Sequence, residues 1–476
     1  MLTFLKKHPI ISITIIGFGL RIIVLSYSQH IYYADELYQT LEQGYRLYFG
    51  YGIIPWEFQD HIRSWVIPSF VYLLIAISMI LNLEYTKLVA LFFSTLSTTI
   101  IISIYYIFKQ YTNKSQALVA AGSTAIWYEL IYFTHRPFSE MISTTFLLAG
   151  IAIYAKSIIL SSILMTIGCY LRPQYAIAIA IWICIHFIID KQLYPKAKRH
   201  FKTIISASIA TTIGLGLIDY NISGTWFPPL TNYLFPYIQS TSQLISETQS
   251  DNNQPWYYYI VTLLISSLGL YLAPCINLTK KRKMLLLLPL IVIGLHSLIS
   301  NKQYRFVLLA IPILISLSAT AIFIFSKKWI YSIHTRQIIT LFFLCIVSFL
   351  GIRDNLPGQQ KVYQQSILGA DPHLTVYQQL RKRDDICGIY DTTRPWVLTG
   401  GYYYLNKPIP LYDIWYQPSD PANVNTIISP TQLTLDGYQQ DQSFQWYPGF
   451  IYIRNKSCLP DSNYSYNRQV PKQHQF

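Results

Sequence analysis

The sequence predicts a mainly α-helical, polytopic membrane protein with a C-terminal soluble domain of mixed α/β or β structure. Three observations support this fold class: 52% of the 476 residues are hydrophobic, only 12% are charged, and apolar stretches recur along the first three quarters of the chain. Soluble domains usually carry about 25% charged residues. The shortage of charge therefore indicates a chain built for a lipid bilayer.

The apolar stretches define the predicted membrane spans. A spanning helix needs roughly 20 mostly apolar residues, and stretches of this kind lie at 9–27, 88–108, 116–134, 137–155, 158–171, 173–189, 203–220, 257–277, 284–300, 304–325 and 336–352. Residues 66–82 are apolar but short, and form either a further span or an interfacial helix. The division predicted is a membrane domain at 1–352, with about 11–12 spans, and a soluble domain at 353–476.

The placement of the basic residues decides what the net charge of +14 means. Lys and Arg cluster in the short connections between apolar stretches, a pattern that orients membrane proteins and binds anionic headgroups, and that argues against nucleic-acid binding. With 66–82 interfacial, 17 of them fall on one side of the bilayer and 7 on the other before the C-terminal domain. The positive-inside rule then predicts a cytoplasmic N-terminus and an extracytoplasmic soluble domain.

The soluble domain contains two of the six cysteines, Cys387 and Cys458. On the extracytoplasmic side they could pair in a disulfide. Cys387 lies in a short apolar string, so a free buried thiol is the alternative. Alternating patches at 386–390 and 450–453 predict short strands in this domain.

The loop after the first span, residues 28–65, has the clearest amphipathic pattern. At 3.6 residues per turn, Asp35, Gln39, Glu42 and Arg46 share one face of a helix whose opposite face is apolar. This predicts a helix on the membrane surface, ended by the glycines at 50 and 52, with its carboxylates facing water or a cleft. The pattern alone leaves two interpretations open: a solvated face that covers the bundle, or a catalytic carboxylate.

Longer strings in this loop are more specific. They read DELYQTLE at 35–42, FGYGIIPWE at 49–57 and IRSWVIP at 62–68, and further along come THRPFS at 134–139, LRP at 171–173 and NKQYRF at 301–306. Together they resemble glycosyltransferase family 22, the dolichyl-phosphate-mannose-dependent mannosyltransferases, and are most similar to its GPI mannosyltransferase branch. The resemblance covers about residues 30–310 and implies a GT-C-type helical bundle with its catalytic loop at 28–65.

The resemblance implies an inverting transfer of a hexose, expected to be mannose, from a polyprenyl- or dolichyl-phosphate carrier to a lipid or lipid-linked glycan acceptor. Such a transfer needs a base for the acceptor hydroxyl and cations for the departing phosphate. Asp35 is the expected base, with Glu36 second. The charge count places the candidate phosphate-binding residues at the membrane face of Asp35; they are Arg63, Arg136, Arg172, Lys302 and Arg305. The further substrate-binding candidates are Gln39, Glu42, Trp56 and Glu57.

The sequence departs from the family pattern at Tyr33, Ala34, Asn301 and Gln303. Transfer of a sugar other than mannose, such as another hexose, a pentose or aminoarabinose, therefore stays an alternative. The competing functions are a transporter or flippase of lipid-linked sugars and a non-catalytic subunit of a glycan-assembly complex. No metal-ligand spacing is visible, so no cofactor is required, although a divalent metal held by Asp35 and Glu36 stays an alternative. Both the bacterial inner membrane and the endoplasmic reticulum membrane fit this sequence.

Overall fold

The computed structural model describes residues 7–28, 30–189, 193–234, 254–276, 279–299, 301–353 and 369–470. The chain packs into two compact units. The helical unit comprises Met1–Ser28 with Ala90–Leu368, and the mixed unit comprises Gln29–Val89 with Gly369–Phe476. The loop that follows the first span thus packs with the C-terminal segment, a grouping that the predicted division at residue 353 does not include.

The predicted apolar stretches form helices in the helical unit. Five helices in the described part of the chain are long and apolar enough to cross a membrane, at Pro9–Tyr27, Tyr85–Tyr111, His200–Ser223, Ile311–Lys328 and Ile333–Gly351. The second is divided at Thr98 into Tyr85–Ser97 and Thr99–Tyr111. His200–Ser223 is the C-terminal part of a helix that begins at Leu193. The remaining α-helices of the unit are Lys114–Ile126, Tyr128–Tyr132, Ser139–Ile153, Ile158–Leu171, Pro173–Ile189, Tyr258–Ser266 and Lys280–Ser297.

Two of the breaks within the predicted spans lie beside polar side chains. Within 116–134 the first helix ends at Ile126, and Trp127 is extended before a short helix begins. Within 257–277 the helix ends at Ser266, and Leu268 and Gly269 take positive φ angles before a 3₁₀ segment at Leu270–Ile276. Side chains at both breaks, Trp127 at the first and Ser266 and Tyr271 at the second, make hydrogen bonds within one polar network, which is described below.

The loop after the first span is helical over 34–49, in the mixed unit, as predicted. An α-turn at Ala34–Glu36 continues as a π-helix at Leu37–Leu41 and as an α-helix at Glu42–Phe49. Gly50 ends the last helix with φ 84°, the left-handed conformation that glycine adopts at low cost. A short strand β1 (Ile54–Pro55), a turn of helix at Trp56–Gln59 and the apolar helix Val66–Ile80 follow.

The C-terminal part of the mixed unit is built on a five-stranded sheet. Its strands are β2 (Ile389–Asp391), β3 (Leu411–Asp413), β4 (Thr426–Ser429), β5 (Tyr438–Gln440) and β6 (Phe450–Arg454), in the order β3-β2-β4-β6-β5. β2 is parallel to β3 and β4, whereas β6 is antiparallel to β4 and β5. The mixed α/β prediction and the strands expected near 386–390 and 450–453 are confirmed. The helices here are Pro372–Leu380 and Gly401–Leu405.

Two long-range links complete the mixed unit. A disulfide joins Cys387 to Cys458, 71 residues apart. Of the two alternatives, a disulfide and a free buried thiol at Cys387, the structure contains the disulfide. Strand β7 (Gln469–Val470) pairs in parallel with β1, with Ile54 opposite Gln469 and Pro55 opposite Val470. The second link fastens the end of the described chain to the loop at 28–65.

Candidate active site

The two acids predicted as the base lie in the first turn of the loop helix. Glu36 is 4% exposed, and its Oε2 accepts a hydrogen bond from the backbone N–H of Tyr32 at 3.1 Å. Its carboxylate therefore stabilises the start of the turn. Asp35 is partly exposed, so it is the acid of this pair whose side chain is more accessible to a substrate.

Glu42 occupies a different environment from the one its spacing predicts. The π-helix at Leu37–Leu41 adds backbone to each turn, so Asp35 and Glu42 do not share the straight α-helical face of the prediction. Glu42 is fully buried. Its Oε1 accepts from the N–H groups of Ile53 and Tyr402 at 3.0 and 3.2 Å, and its Oε2 from the N–H of Tyr403 at 2.8 Å. The expectation that this carboxylate faces water or a cleft is wrong.

The geometry around Glu42 explains a glycine in the C-terminal segment. Gly401 has φ +56°, and a Cβ there would lie 2.7 Å from Glu42 Oε2. The backbone can therefore approach the carboxylate closely only because residue 401 lacks a side chain. Burial raises the pKa of Glu42 to about 7, against the three backbone N–H groups and Arg46, which lower it.

The other loop candidates surround the loop helix. Gln39 Nε2 donates to Glu57 Oε1 at 2.9 Å, which joins the helix to the turn that follows β1. Glu57 is 5% exposed, whereas Gln39, Trp56 and Arg63 are partly exposed. The mixed unit therefore joins Gln39, one helical turn after Asp35 and Glu36 in the sequence, to the Trp56–Glu57 turn.

The helical unit contains a buried cluster of opposite charges around Glu140, a residue that the sequence reasoning missed. Arg172 Nη2 lies 3.1 Å from Glu140 Oε1, and Arg305 Nε lies 3.6 Å from the same oxygen. Glu140 is 1% exposed, Arg172 6% and Arg305 3%. One carboxylate between two guanidinium groups leaves a net positive charge, which is what a phosphate-binding site needs.

The local sequence explains how these side chains are positioned. Pro173 disfavours helical geometry at the residue before it, and Arg172 accordingly has φ −139° and ψ 85° between helices Ile158–Leu171 and Pro173–Ile189. Glu140 lies in the first turn of helix Ser139–Ile153, where an acid is favoured by the helix dipole. Arg305 lies in the 3₁₀ turn Tyr304–Val307, and its guanidinium carbon is 4.9 Å from the ring centroid of Phe138.

The last two predicted cations are also buried in the helical unit. Arg136 is fully buried; its Nη2 donates to Ser28 Oγ at 3.2 Å, and its guanidinium carbon lies 4.5 Å from the ring centroid of Tyr132. Lys302 donates to the carbonyl oxygen of Gln254 at 2.8 Å and to that of Ile299. Burial lowers the pKa of the Lys302 ammonium.

A second buried carboxylate, Glu129, was also missed. It accepts hydrogen bonds from Trp127 Nε1 and Tyr271 Oη, both at 2.8 Å, and from the hydroxyl of Tyr304. Tyr304 also shares a 2.8 Å hydrogen bond with Ser266. This network joins the two interrupted spans to the turn that carries Arg305.

Neither missed acid had a strong signal in the sequence. Each is a single Glu close to apolar residues, where an ionisable group is costly unless it has partners. Glu129 lies within the predicted span 116–134 and Glu140 within 137–155, so this cost is the signal by which the sequence indicates that both acids have partners. Among the described residues, no group of three or more His, Cys, Asp and Glu side chains is arranged to hold a metal ion.

Comparisons with known proteins agree with the resemblance in the motifs. The sequence profile of the Alg9-like mannosyltransferase family matches residues 12–365. GPI mannosyltransferase 3 of Debaryomyces hansenii is 25% identical over 93% of this chain and 80% of its own length. GPI alpha-1,2-mannosyltransferase 3 of Homo sapiens is 22% identical over 62% of this chain and 54% of its own length, so the matched part spans about half of that relative.

A solved structure shares the fold. The crystal structure of ArnT from Cupriavidus metallidurans bound to undecaprenyl phosphate superposes with a TM-score of 0.57 at 10% identity, covering 93% of this chain and 97% of ArnT. At that identity the likeness concerns the fold alone, and the fold is that of a GT-C glycosyltransferase. The family match covers most of the chain and includes every motif quoted above, so this chain belongs to the Alg9-like mannosyltransferase family and is a mannosyltransferase with the GT-C fold.

Proposed function

We propose that this chain transfers mannose from a polyprenyl- or dolichyl-phosphate carrier to a glycolipid acceptor in the assembly of a GPI-type anchor. The names of the relatives from Debaryomyces hansenii and Homo sapiens support the GPI assignment. The lipid phosphate named with ArnT supports a polyprenyl carrier for the sugar. The endoplasmic reticulum membrane is the location that accords with these relatives.

Asp35 acts as the general base in this proposal. The acceptor hydroxyl loses its proton to the Asp35 carboxylate while its oxygen attacks C1 of mannose from the face opposite the phosphate. The C1–O bond to the phosphate breaks, and its electron pair leaves with the phosphate. The observation that carries this assignment is the partial exposure of Asp35 in a loop whose glutamates, Glu36, Glu42 and Glu57, are all buried.

The buried cations of the helical unit bind the phosphate in this proposal. Arg172 and Arg305 share Glu140 and retain a net positive charge, and Arg136 and Lys302 add two further cations. Developing negative charge on a phosphate is stabilised most effectively by donors that are already fixed in place. Glu140 and the aromatic rings beside these guanidinium groups provide that fixation.

The reaction takes place on the extracytoplasmic or lumenal side. The charge distribution of the connecting loops supports this orientation. The disulfide between Cys387 and Cys458 supports it independently, because disulfides form and persist in oxidising compartments.

The proposal is tested by sugar transfer from a panel of polyprenyl- and dolichyl-phosphate sugars to acceptors in a lipid extract of the native host. Full-length wild type should consume the mannosyl carrier, and Asp35→Asn should lose at least a hundredfold in rate, as expected for loss of a general base. Asp60→Asn changes an exposed acid of the same loop and should stay within twofold of wild type.

Other outcomes separate the alternatives. Activity that survives Asp35→Asn and disappears in Glu36→Gln would move the base to Glu36. Transfer of another hexose, a pentose or aminoarabinose would identify that sugar, instead of mannose, as the one that the donor carries. Consumption of no donor by wild type would favour a transporter or an accessory subunit.

A further inference from the structure

We propose that the mixed unit contains a binding subsite for a neutral sugar ring, in the pocket between the end of β3 and the strand β7. The pocket has a volume of about 390 Å³ and is lined by Trp415, Tyr416, Ser465, Asn467, Arg468, Gln469 and Val470. Small-molecule sites occupy roughly 300–1,000 Å³, so its size suits a sugar unit.

The lining has the chemistry that sugars require. Trp415 and Tyr416 are partly exposed aromatic residues, and the electron-rich face of an aromatic ring attracts the weakly positive C–H groups of a pyranose. Ser465, Asn467 and Gln469 are exposed polar residues beside them, and they offer hydrogen bonds to sugar hydroxyls. The Tyr402–Tyr404 run, also rich in aromatic residues, is less suited to stacking on a sugar because Tyr402 and Tyr403 are fully buried.

The charge at the pocket favours a neutral ligand over a phosphate. Arg468 is the one charged residue of the lining, and its Nη2 lies 2.6 Å from Asp413 Oδ2. Its guanidinium carbon lies 4.4 Å from the ring centroid of Tyr416, so the ion pair also fixes the aromatic ring. A phosphate would have to compete with the Asp413 carboxylate for this single cation.

Arg468 also has a spare donor. The side chain is more than nine-tenths buried, and its Nη1 has no hydrogen-bond partner within the described ranges that end at residue 470. Buried donors in proteins are nearly always satisfied. Because Arg468 lines the pocket, a ligand hydroxyl could accept from this donor after a small movement of the side chain.

The backbone connects this pocket to the acidic loop. The N–H of Ile54 donates to the carbonyl oxygen of Arg468 at 2.8 Å, and Gln59 Nε2 donates to the carbonyl oxygen of Val470 at 2.9 Å. The strand pair β1–β7 thus leads from the pocket directly into the Trp56–Glu57 turn, and Glu57 contacts Gln39. A sugar in the pocket is therefore suited to be an outer residue of the acceptor glycan, an assignment that rests on the proposed function.

Binding is tested with full-length protein in detergent, using methyl α-mannoside and an α-linked mannobiose as probes for saturation-transfer NMR. Wild type should give a saturation-transfer NMR signal for both sugars. Trp415→Ala should reduce the intensity of that signal at least fivefold. Trp415→Tyr keeps an aromatic ring and should restore most of the signal. Trp446→Ala is the matched control, because Trp446 is an exposed tryptophan of the same unit (44%) outside the pocket lining.

The transfer reaction gives a second readout. Trp415→Ala should raise KM for the lipid-linked acceptor at least fivefold with kcat within twofold of wild type, because the sugar bound there is an outer residue of the acceptor and does not itself react. A purely structural role would instead lower the melting temperature and reduce kcat, with no selective effect on KM.

The outcomes distinguish this inference from the proposed function. Sugar binding that depends on Trp415, in a protein without any transferase activity, would support the subsite and contradict the proposed function. Unchanged binding and KM in Trp415→Ala would overturn the subsite. Wild type that binds neither sugar, or that binds inorganic phosphate at this pocket instead, would also overturn it.

Discussion

Arg172 and Glu140 form an ion pair that is more than nine-tenths buried on both sides, with Nη2 3.1 Å from Oε1. The same oxygen lies 3.6 Å from Arg305 Nε. The LRP and NKQYRF motifs, which are about 130 residues apart in the sequence, thus meet at one acid. Glu140 is therefore a positioning residue for both arginines.

We expect Glu140→Gln to reduce both stability and transfer. The substitution removes the negative charge between two buried guanidinium groups, and breaking a buried pair in this way costs about 3–5 kcal/mol. Glu140→Asp keeps the charge and should recover part of the activity. Glu84→Gln is the control, because Glu84 pairs with Arg381 near the surface, where an ion pair contributes less than about 1 kcal/mol. Equal melting temperatures and rates for wild type and Glu140→Gln would show that the acid is dispensable.

We expect Tyr304→Phe to weaken substrate turnover through Arg305. The substitution removes a donor to buried Glu129 and the hydrogen bond with Ser266, and an unsatisfied buried polar group costs about 1–3 kcal/mol. Because Tyr304 directly precedes Arg305 in a 3₁₀ turn, kcat should fall severalfold even where the protein is fully folded. Tyr331→Phe, at a residue 94% exposed, should change neither kcat nor the melting temperature. A Tyr304→Phe enzyme with wild-type kcat would contradict the coupling.

The sequence predicts the helices of this protein better than their breaks. Apolar composition over about 20 residues determines a membrane helix, and the helices Pro9–Tyr27, Ile158–Leu171 and Ile333–Arg353 fall on predicted stretches. The breaks after Ile126 and Ser266 depend on polar partners such as Glu129, which come from distant segments. Composition within a window contains no information about those partners.

The candidate site shows the same limit. The motifs, through the family they resemble, identify Asp35 and the arginines as chemically suitable residues. Helical spacing, however, places Glu42 on the wrong surface, because it assumes an uninterrupted α-helix and the loop contains a π-helix. The burial of Glu42 depends on backbone N–H groups about 360 residues away. No local pattern predicts the pairing of Ile54–Pro55 with Gln469–Val470 either, because the two strands are far apart in the sequence.

The disulfide should contribute substantially to the stability of the mixed unit. Cys387 and Cys458 close a loop of 71 residues, and the chain-entropy model gives about 4 kcal/mol for a loop of this length. We expect Cys458→Ser to lower the melting temperature, with Cys345→Ser, at an exposed free cysteine, as the control. Non-reducing mass spectrometry of protein from its native membrane should find the 387–458 bridge, and two free thiols there would contradict it.

Glu42 should make the stability of the mixed unit depend on pH. Its folded pKa of about 7 lies above the ordinary value of 4.5, so the folded state holds this proton more tightly than the unfolded state. The stabilisation is complete below about pH 4.5 and is lost as the pH rises through 7, with a total of about 3 kcal/mol. Glu42→Gln cannot titrate, and its amide group would oppose the N–H of Tyr403, so it should be less stable than wild type at pH 5. The difference in melting temperature between the two proteins should then narrow towards pH 8, whereas a constant or widening difference would show that Glu42 is ionised throughout this range.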